Sequence, residues 1–232
     1  MIAHGLIFDL DETLYPERQF IRSGFCAVAE RVERRHGVPA AASLATLLGS
    51  LRRGNRAEAL QALCAAHGLP ASLVPELVDV IRAHAPSLRL PQESREALVT
   101  ARARGWRLGV LTNGMPAVQM RKTAALGLGA LVDEIVYAQD WGSGRGKPEP
   151  EPFEVVMERM RVRPEASVFV GDDPWCDIFG ARRARLRTLL VCRTPSQLNR
   201  ARACQADGVV RSIDEVPDAA AGLVLREVSH AA

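Results

Sequence analysis

Short apolar runs that end on acidic or hydroxyl residues recur along this 232-residue chain. Gly5-Leu6-Ile7-Phe8 reads as a buried strand and runs straight into Asp9-Leu10-Asp11-Glu12-Thr13. Arg107-Leu108-Gly109-Val110-Leu111 ends at Thr112-Asn113-Gly114, and Ser167-Val168-Phe169-Val170 ends at Gly171-Asp172-Asp173. Glu134–Tyr137 and Thr188–Val191 continue the series, with a weaker run near Gly208–Val210. Between them the apolar spacing turns helical, through Ala97–Ala103, over roughly 117–126, and at Phe153, Val156, Met157 and Met160. Strands alternating with helices predict an α/β fold with a largely parallel sheet covered on both sides.

One stretch breaks the alternation. After Tyr15-Pro16 the pattern is helical only: Ile21, Phe25, Val28 and Val32 share one helical face. Leu60, Leu63 and Cys64 suggest a second helix, and Val74, Leu77, Val78 and Ile81 another. Gly37-Val38-Pro39, Arg53-Gly54-Asn55 and Gly68-Leu69-Pro70 punctuate them. The chain therefore divides into a core of residues 1–14 and 89–232 and an all-helical insertion over 15–88.

Composition narrows the function classes. The net charge is +3, with basic and acidic residues intermixed, so specific nucleic-acid binding is not expected. No apolar run reaches the length of a membrane span. The first residues enter a strand without a charged leader, and the five cysteines form neither a disulfide framework nor a zinc pattern. A cytoplasmic location with reduced thiols is the simplest expectation. One bias stands out: Lys122 and Lys147 are the only lysines, every other basic side chain being arginine. Such lysines mark places where a compact ammonium matters.

In open parallel sheets, ligands bind beyond the carboxyl ends of the strands. Asp9, Thr112 and Asp172 all sit at such ends, so segments far apart in sequence converge on one crevice. Asp9 and Asp11, two apart in locally extended chain, face the same side. Asp9 is the candidate nucleophile, and Asp11 the group that protonates a leaving alkoxide and then deprotonates water. The same acids also suit a solvated turn or a helix cap. Asp172 adds a hard oxygen ligand of the kind Mg²⁺ prefers, and Asp177 could orient a metal-bound water or Lys147. Asp173 could simply cap the following helix. Thr112 and Asn113 offer donors for phosphoryl oxygens, and Lys147 balances the crowded carboxylates and attracts phosphate.

Taken together, Asp9-Leu10-Asp11-Glu12-Thr13, Thr112, Lys147, and Gly171-Asp172 with Asp177 resemble the haloacid-dehalogenase superfamily, specifically its phosphatase-like members with a helical cap. The order and spacing agree from residue 6 to about 191. The resemblance implies a Rossmann-like, doubly wound core with a mobile helical cap inserted after the first strand. It implies nucleophilic Asp9, acid/base Asp11, and phosphate-binding Thr112 and Lys147. Mg²⁺ would be held by Asp9, Asp172 and the backbone carbonyl of Asp11, with Asp177 supporting the metal shell. Three positions depart from the common pattern: Ala138 for a frequent serine, Glu149 for a frequent aspartate, and Arg185 for a frequent glycine. Arginine in a turn that calls for positive φ carries a steric cost that glycine does not.

The expected activity is Mg²⁺-dependent hydrolysis of a small phosphorylated metabolite. Asp11 favours phosphate chemistry over dehalogenation, because halide leaves without a proton and the superfamily's dehalogenases generally lack this second acid. A sugar phosphomutase on the same core is the alternative, followed by a non-catalytic regulatory protein that kept the fold. Substrate identity and oligomeric state are not legible from these residues.

Overall fold

The computed structural model describes residues 3–141, 146–194 and 204–228. Six strands form one sheet: β1 (Gly5–Phe8), β2 (Arg107–Thr112), β3 (Glu134–Tyr137), β4 (Ser167–Gly171), β5 (Arg187–Val191) and β6 (Gly208–Val210). Their order is β3-β2-β1-β4-β5-β6, and every neighbouring pair is parallel. β1 is thus the centre, flanked by β2 and β4, and the strand order reverses beside it. That reversal opens a crevice at the carboxyl end of the sheet. The architecture is Rossmann-like α/β.

Apart from Arg107, Thr112 and Ser167 at their ends, the central strands are apolar because both faces are covered. Ile7, Leu111 and Phe169 pack on one face with Phe153, Val156, Met157 and Met160 of helix α7 (Glu151–Met160). Leu6, Phe8, Val168 and Val170, which point the other way, are also fully buried. Helix α5 (Gln92–Ala103) packs on β2, and α6 (Pro116–Ala125) follows that strand. After β4 the chain makes a π-helical turn, Pro174–Phe179, before the short α8 (Gly180–Arg183). Helix α9 (Val216–Val228) packs on β4, β5 and β6. Arg185 adopts φ 64°, the left-handed conformation expected to disfavour arginine at this turn.

The chain separates into two compact units, one of residues up to Pro16 together with those from Arg89 onward, the other Glu17–Leu88. The second unit is wholly helical: α1 (Arg18–His36), α2 (Ala40–Arg52), α3 (Ala59–Ala66) and α4 (Val74–Ala83). Its core gathers Ile21, Phe25, Val28 and Val32 of α1 with Leu47 of α2, Leu60 and Leu63 of α3, and Leu77 of α4. Helix α2 was not among the elements read from the sequence pattern. Leu44, Leu47, Leu48 and Leu51 carry its apolar stripe, but the alanines between them blur the contrast between faces.

Candidate active site

Asp9 follows β1 directly, and its backbone N–H donates to the Val170 carbonyl of β4 (2.8 Å). The nucleophile candidate is therefore fixed at the seam of the two central strands. Its side chain is buried, with Oδ1 accepting from the Lys147 ammonium at 2.6 Å. The same ammonium donates to Asp177 Oδ1 (2.7 Å) and to the Leu111 carbonyl (3.2 Å). Three oxygens around one nitrogen suit the tetrahedral donors of lysine; the planar fork of arginine would not fit between them.

Lys147 is held from behind by Asn113. The Asn113 amide donates to the Lys147 carbonyl (2.9 Å), and its oxygen accepts from the Lys147 N–H (2.9 Å). The Asn113 side chain is thus engaged with backbone through its oxygen and one of its two amide N–H groups. The Gly-rich stretch that leads to Lys147 lies partly outside the described residues.

Asp177 has both oxygens committed. Beyond the Lys147 contact, Oδ2 accepts from the N–H groups of Asp172 (3.1 Å) and Asp173 (3.0 Å). This arrangement requires glycine at 171, since a Cβ there would collide with the Asp177 carboxylate. Asp173 accepts from the N–H groups of Trp175 (2.8 Å) and Cys176 (2.7 Å), a helix-capping role.

Carboxylate oxygens of Asp9, Asp172 and Asp177 lie within 4.8 Å of one another. Burial pushes Asp9 well above the ordinary carboxylate range, against the opposing pull of Lys147. Asp172 is pushed up to about 7, first by burial and then by the negative charges of Asp177, Glu12 and Asp173. For Lys147 the neighbouring carboxylates outweigh burial and raise its pKa. One ammonium among three carboxylates leaves the cluster short of positive charge. The set of hard oxygens fits a divalent cation, which would supply what is missing.

Asp11 has a different set of partners. Its carboxylate accepts from Lys122 at 2.8 and 2.9 Å, from the Tyr15 hydroxyl at 2.6 Å and from the Gln119 amide at 2.9 Å. The same Gln119 nitrogen reaches Thr112 Oγ1 at 2.6 Å. Lys122 and Gln119, both on α6, were not among the site residues expected from the sequence. The scarcity of lysine was the one signal that pointed to Lys122. Gln119 carried none, because a single glutamine in a helix has no distinguishing pattern.

Comparisons with known proteins point to one family. The family model for haloacid dehalogenase-like hydrolases matches residues 4–185. A phosphoserine phosphatase of Thermus thermophilus is 32% identical over 164 residues, covering 71% of this chain and 64% of that protein. A glyceraldehyde 3-phosphate phosphatase of Methanothermobacter thermautotrophicus is 36% identical over 104 residues, 45% of each chain. The chain thus aligns with less than two thirds of the length of either relative. Among solved structures, a HAD phosphatase from Thermococcus onnurineus superposes with a TM-score of 0.60 at 23% identity, covering 94% of this chain and 97% of that one. A 2-haloacid dehalogenase from Pseudomonas syringae gives 0.61 at 24%, covering 98% and 100%. Because enzymes of both chemistries superpose equally well, these structures speak to the fold alone. The family match spans strands β1 to β4 and the strand-end residues built on them, and the chain belongs to the haloacid dehalogenase-like hydrolases.

Proposed function

We propose that this protein is a Mg²⁺-dependent phosphatase that hydrolyses a small phosphomonoester through an aspartyl-phosphate on Asp9. The observation that carries the reading is a second carboxylic acid, Asp11, two residues beyond a buried Asp9 whose one oxygen is bound by Lys147. Expulsion of an alkoxide needs a proton donor, whereas expulsion of halide does not. The relatives named as phosphatases of phosphoserine and glyceraldehyde 3-phosphate support the same class of chemistry.

In this reading Lys147 fixes Oδ1 of Asp9, leaving Oδ2 to attack phosphorus. As the new O–P bond forms and the ester P–O bond breaks, Asp11 gives its proton to the departing oxygen. Water then attacks the acyl phosphate, Asp11 takes a proton from it, and the Asp9–phosphorus bond breaks. The Thr112 hydroxyl and the Asn113 backbone N–H hold phosphoryl oxygens, and Lys147 offsets their charge. Asp9, Asp172 and the Asp11 carbonyl would hold Mg²⁺, with Asp177 ordering Lys147 and the backbone beside it. The cation lets an anionic phosphate approach a carboxylate nucleophile.

The test is a phosphate-release screen in MgCl₂ over phosphoserine, glyceraldehyde 3-phosphate, phosphoglycolate, sugar phosphates and nucleoside monophosphates. Asp9→Asn provides the background. One class should exceed both that variant and an EDTA-treated control by about 10-fold or more. Equal, metal-dependent release by wild type and Asp9→Asn would sink the proposal. Conversion of a sugar phosphate to its isomer without free phosphate would replace it with a mutase.

Metal binding should also be visible in stability. The folded-state pKa of Asp172, about 7, lies above its unfolded value of 3.8, and Asp9 is shifted in the same direction. Between those values the folded state binds more protons, so the metal-free protein should lose stability as pH rises from about 4 to about 7. Added Mg²⁺ should restore about 2.7 kcal/mol at 100 times its dissociation constant, with less gain at pH 5, where protons compete. Thermal unfolding at pH 5 and 8 with and without MgCl₂ measures both effects. A gain that is equal at the two pH values would remove these carboxylates from the metal site.

A further inference from the structure

Asp11 has a separate set of partners that the mechanism above does not use. Its carboxylate accepts from Lys122 twice, from Tyr15 and from Gln119, at distances from 2.6 to 2.9 Å. Lys122 is buried, only 4% exposed, although it lies on a helix whose other basic residue, Arg121, is exposed. Burying an ammonium has a large desolvation penalty unless it is paired, so its position reflects a specific partner. Both lysines of this arginine-biased chain thus end on the two aspartates of one motif, Lys147 on Asp9 and Lys122 on Asp11.

Gln119 and Lys122 are three residues apart and so share a face of α6. Gln119 links Asp11 to Thr112: its amide nitrogen reaches Asp11 Oδ2 (2.9 Å), Thr112 Oγ1 (2.6 Å) and the Asn113 carbonyl (2.9 Å). A hydroxyl that accepts from an amide N–H keeps its own proton to donate. The contact from the Thr112 hydroxyl to the Asn113 carbonyl, at 3.4 Å, is long enough to yield readily to a better acceptor. One helix face therefore fixes the rotamer of Asp11 and leaves Thr112 ready to donate.

We infer that Lys122, assisted by Gln119, is the positioning residue for Asp11, anchoring its carboxyl group so that it can serve the leaving oxygen and then the attacking water. This rests on the phosphatase reading above. It concerns placement of the acid/base group and adds no proton-transfer step of its own. In this role Lys122 acts through Asp11, so its effect on catalysis should appear only while Asp11 is present and only when the leaving group needs a proton.

The test is a double-mutant cycle of Lys122→Met and Asp11→Asn, read as kcat/KM on an alkyl phosphate and on p-nitrophenyl phosphate, whose phenolate leaves unaided. Lys122→Met should lose about 100-fold on the alkyl ester, the scale of a small misplacement of a catalytic group. It should lose less than about 5-fold on the nitrophenyl ester, and about 3-fold or less when added to Asp11→Asn. Equal losses on both esters, or in both backgrounds, would assign Lys122 a purely structural role and overturn the inference while the phosphatase reading stands. If Lys122→Met does not fold, Gln119→Leu takes its place, with an expected loss of about 10-fold and the same dependence on Asp11. A wild-type protein that releases no phosphate from any ester would remove the phosphatase reading, and this inference with it.

Discussion

Replacing Asp9 with asparagine is expected to reduce turnover by about 10⁴-fold or more, in the range seen when an essential nucleophile is removed. Asparagine is nearly isosteric, but its amide cannot form the acyl phosphate. The change should not unfold the protein. Burial already disfavours the Asp9 anion, and Lys147 would keep Asp177 and the Leu111 carbonyl as partners. Acid quenching during turnover of a ³²P-labelled substrate should trap label on the wild type and none on the variant. A melting temperature within a few degrees of wild type would confirm that chemistry, not folding, was lost. Labelling of Asp9→Asn would place the nucleophile elsewhere.

Lys147→Met should damage stability and activity together. The ammonium is buried between two carboxylates, at 2.6 Å from Asp9 and 2.7 Å from Asp177. Removing it leaves like charges facing each other with no local cation. Breaking a buried ion pair from one side costs about 3–5 kcal/mol. Loss of a preorganised charge at the reacting phosphoryl group costs a further 10²–10³-fold or so in rate. Urea denaturation and kcat/KM on the best substrate of the screen measure the two effects. Lys147→Arg keeps the charge but has a planar donor fork, so it should not restore activity. Full activity in the arginine variant would mean that charge alone, without the tetrahedral fit, is sufficient.

The two lysine substitutions should differ in character. Lys147 touches Asp9, the proposed nucleophile, so its loss should be felt with every leaving group. Lys122 contacts the carboxylate of Asp11, the proposed acid/base group, so its loss should follow the leaving group's need for a proton.

Much of the core was legible because its signals are local. The strand runs at 5–8, 108–111 and 168–170 are apolar on both faces, as a covered parallel sheet requires. The residues at their carboxyl ends mark the candidate site, since Asp9, Thr112 and Asp172 are all delivered to the same edge of the parallel sheet. Helices α2 and α9 were harder to read. In both, alanine-rich stretches weaken the contrast between apolar and polar faces on which periodicity depends.

The sequence by itself determined the alternation of strands and helices, an all-helical stretch read as 15–88, and the set of acids and donors carried at the strand ends. Those follow from apolar spacing and from motif order, which need no knowledge of what lies opposite. Only the tertiary structure decided how these groups pair. It turned the side chain of Asn113 onto the backbone of Lys147, committed both oxygens of Asp177, and set Lys122 and Gln119 of α6 against Asp11. Such contacts join residues as many as 111 positions apart, and an ion pair of that span leaves no periodic trace along the chain. A compact, buried ammonium is selected by the shape and charge of its cavity, and that cavity exists only once the sheet and helices have packed.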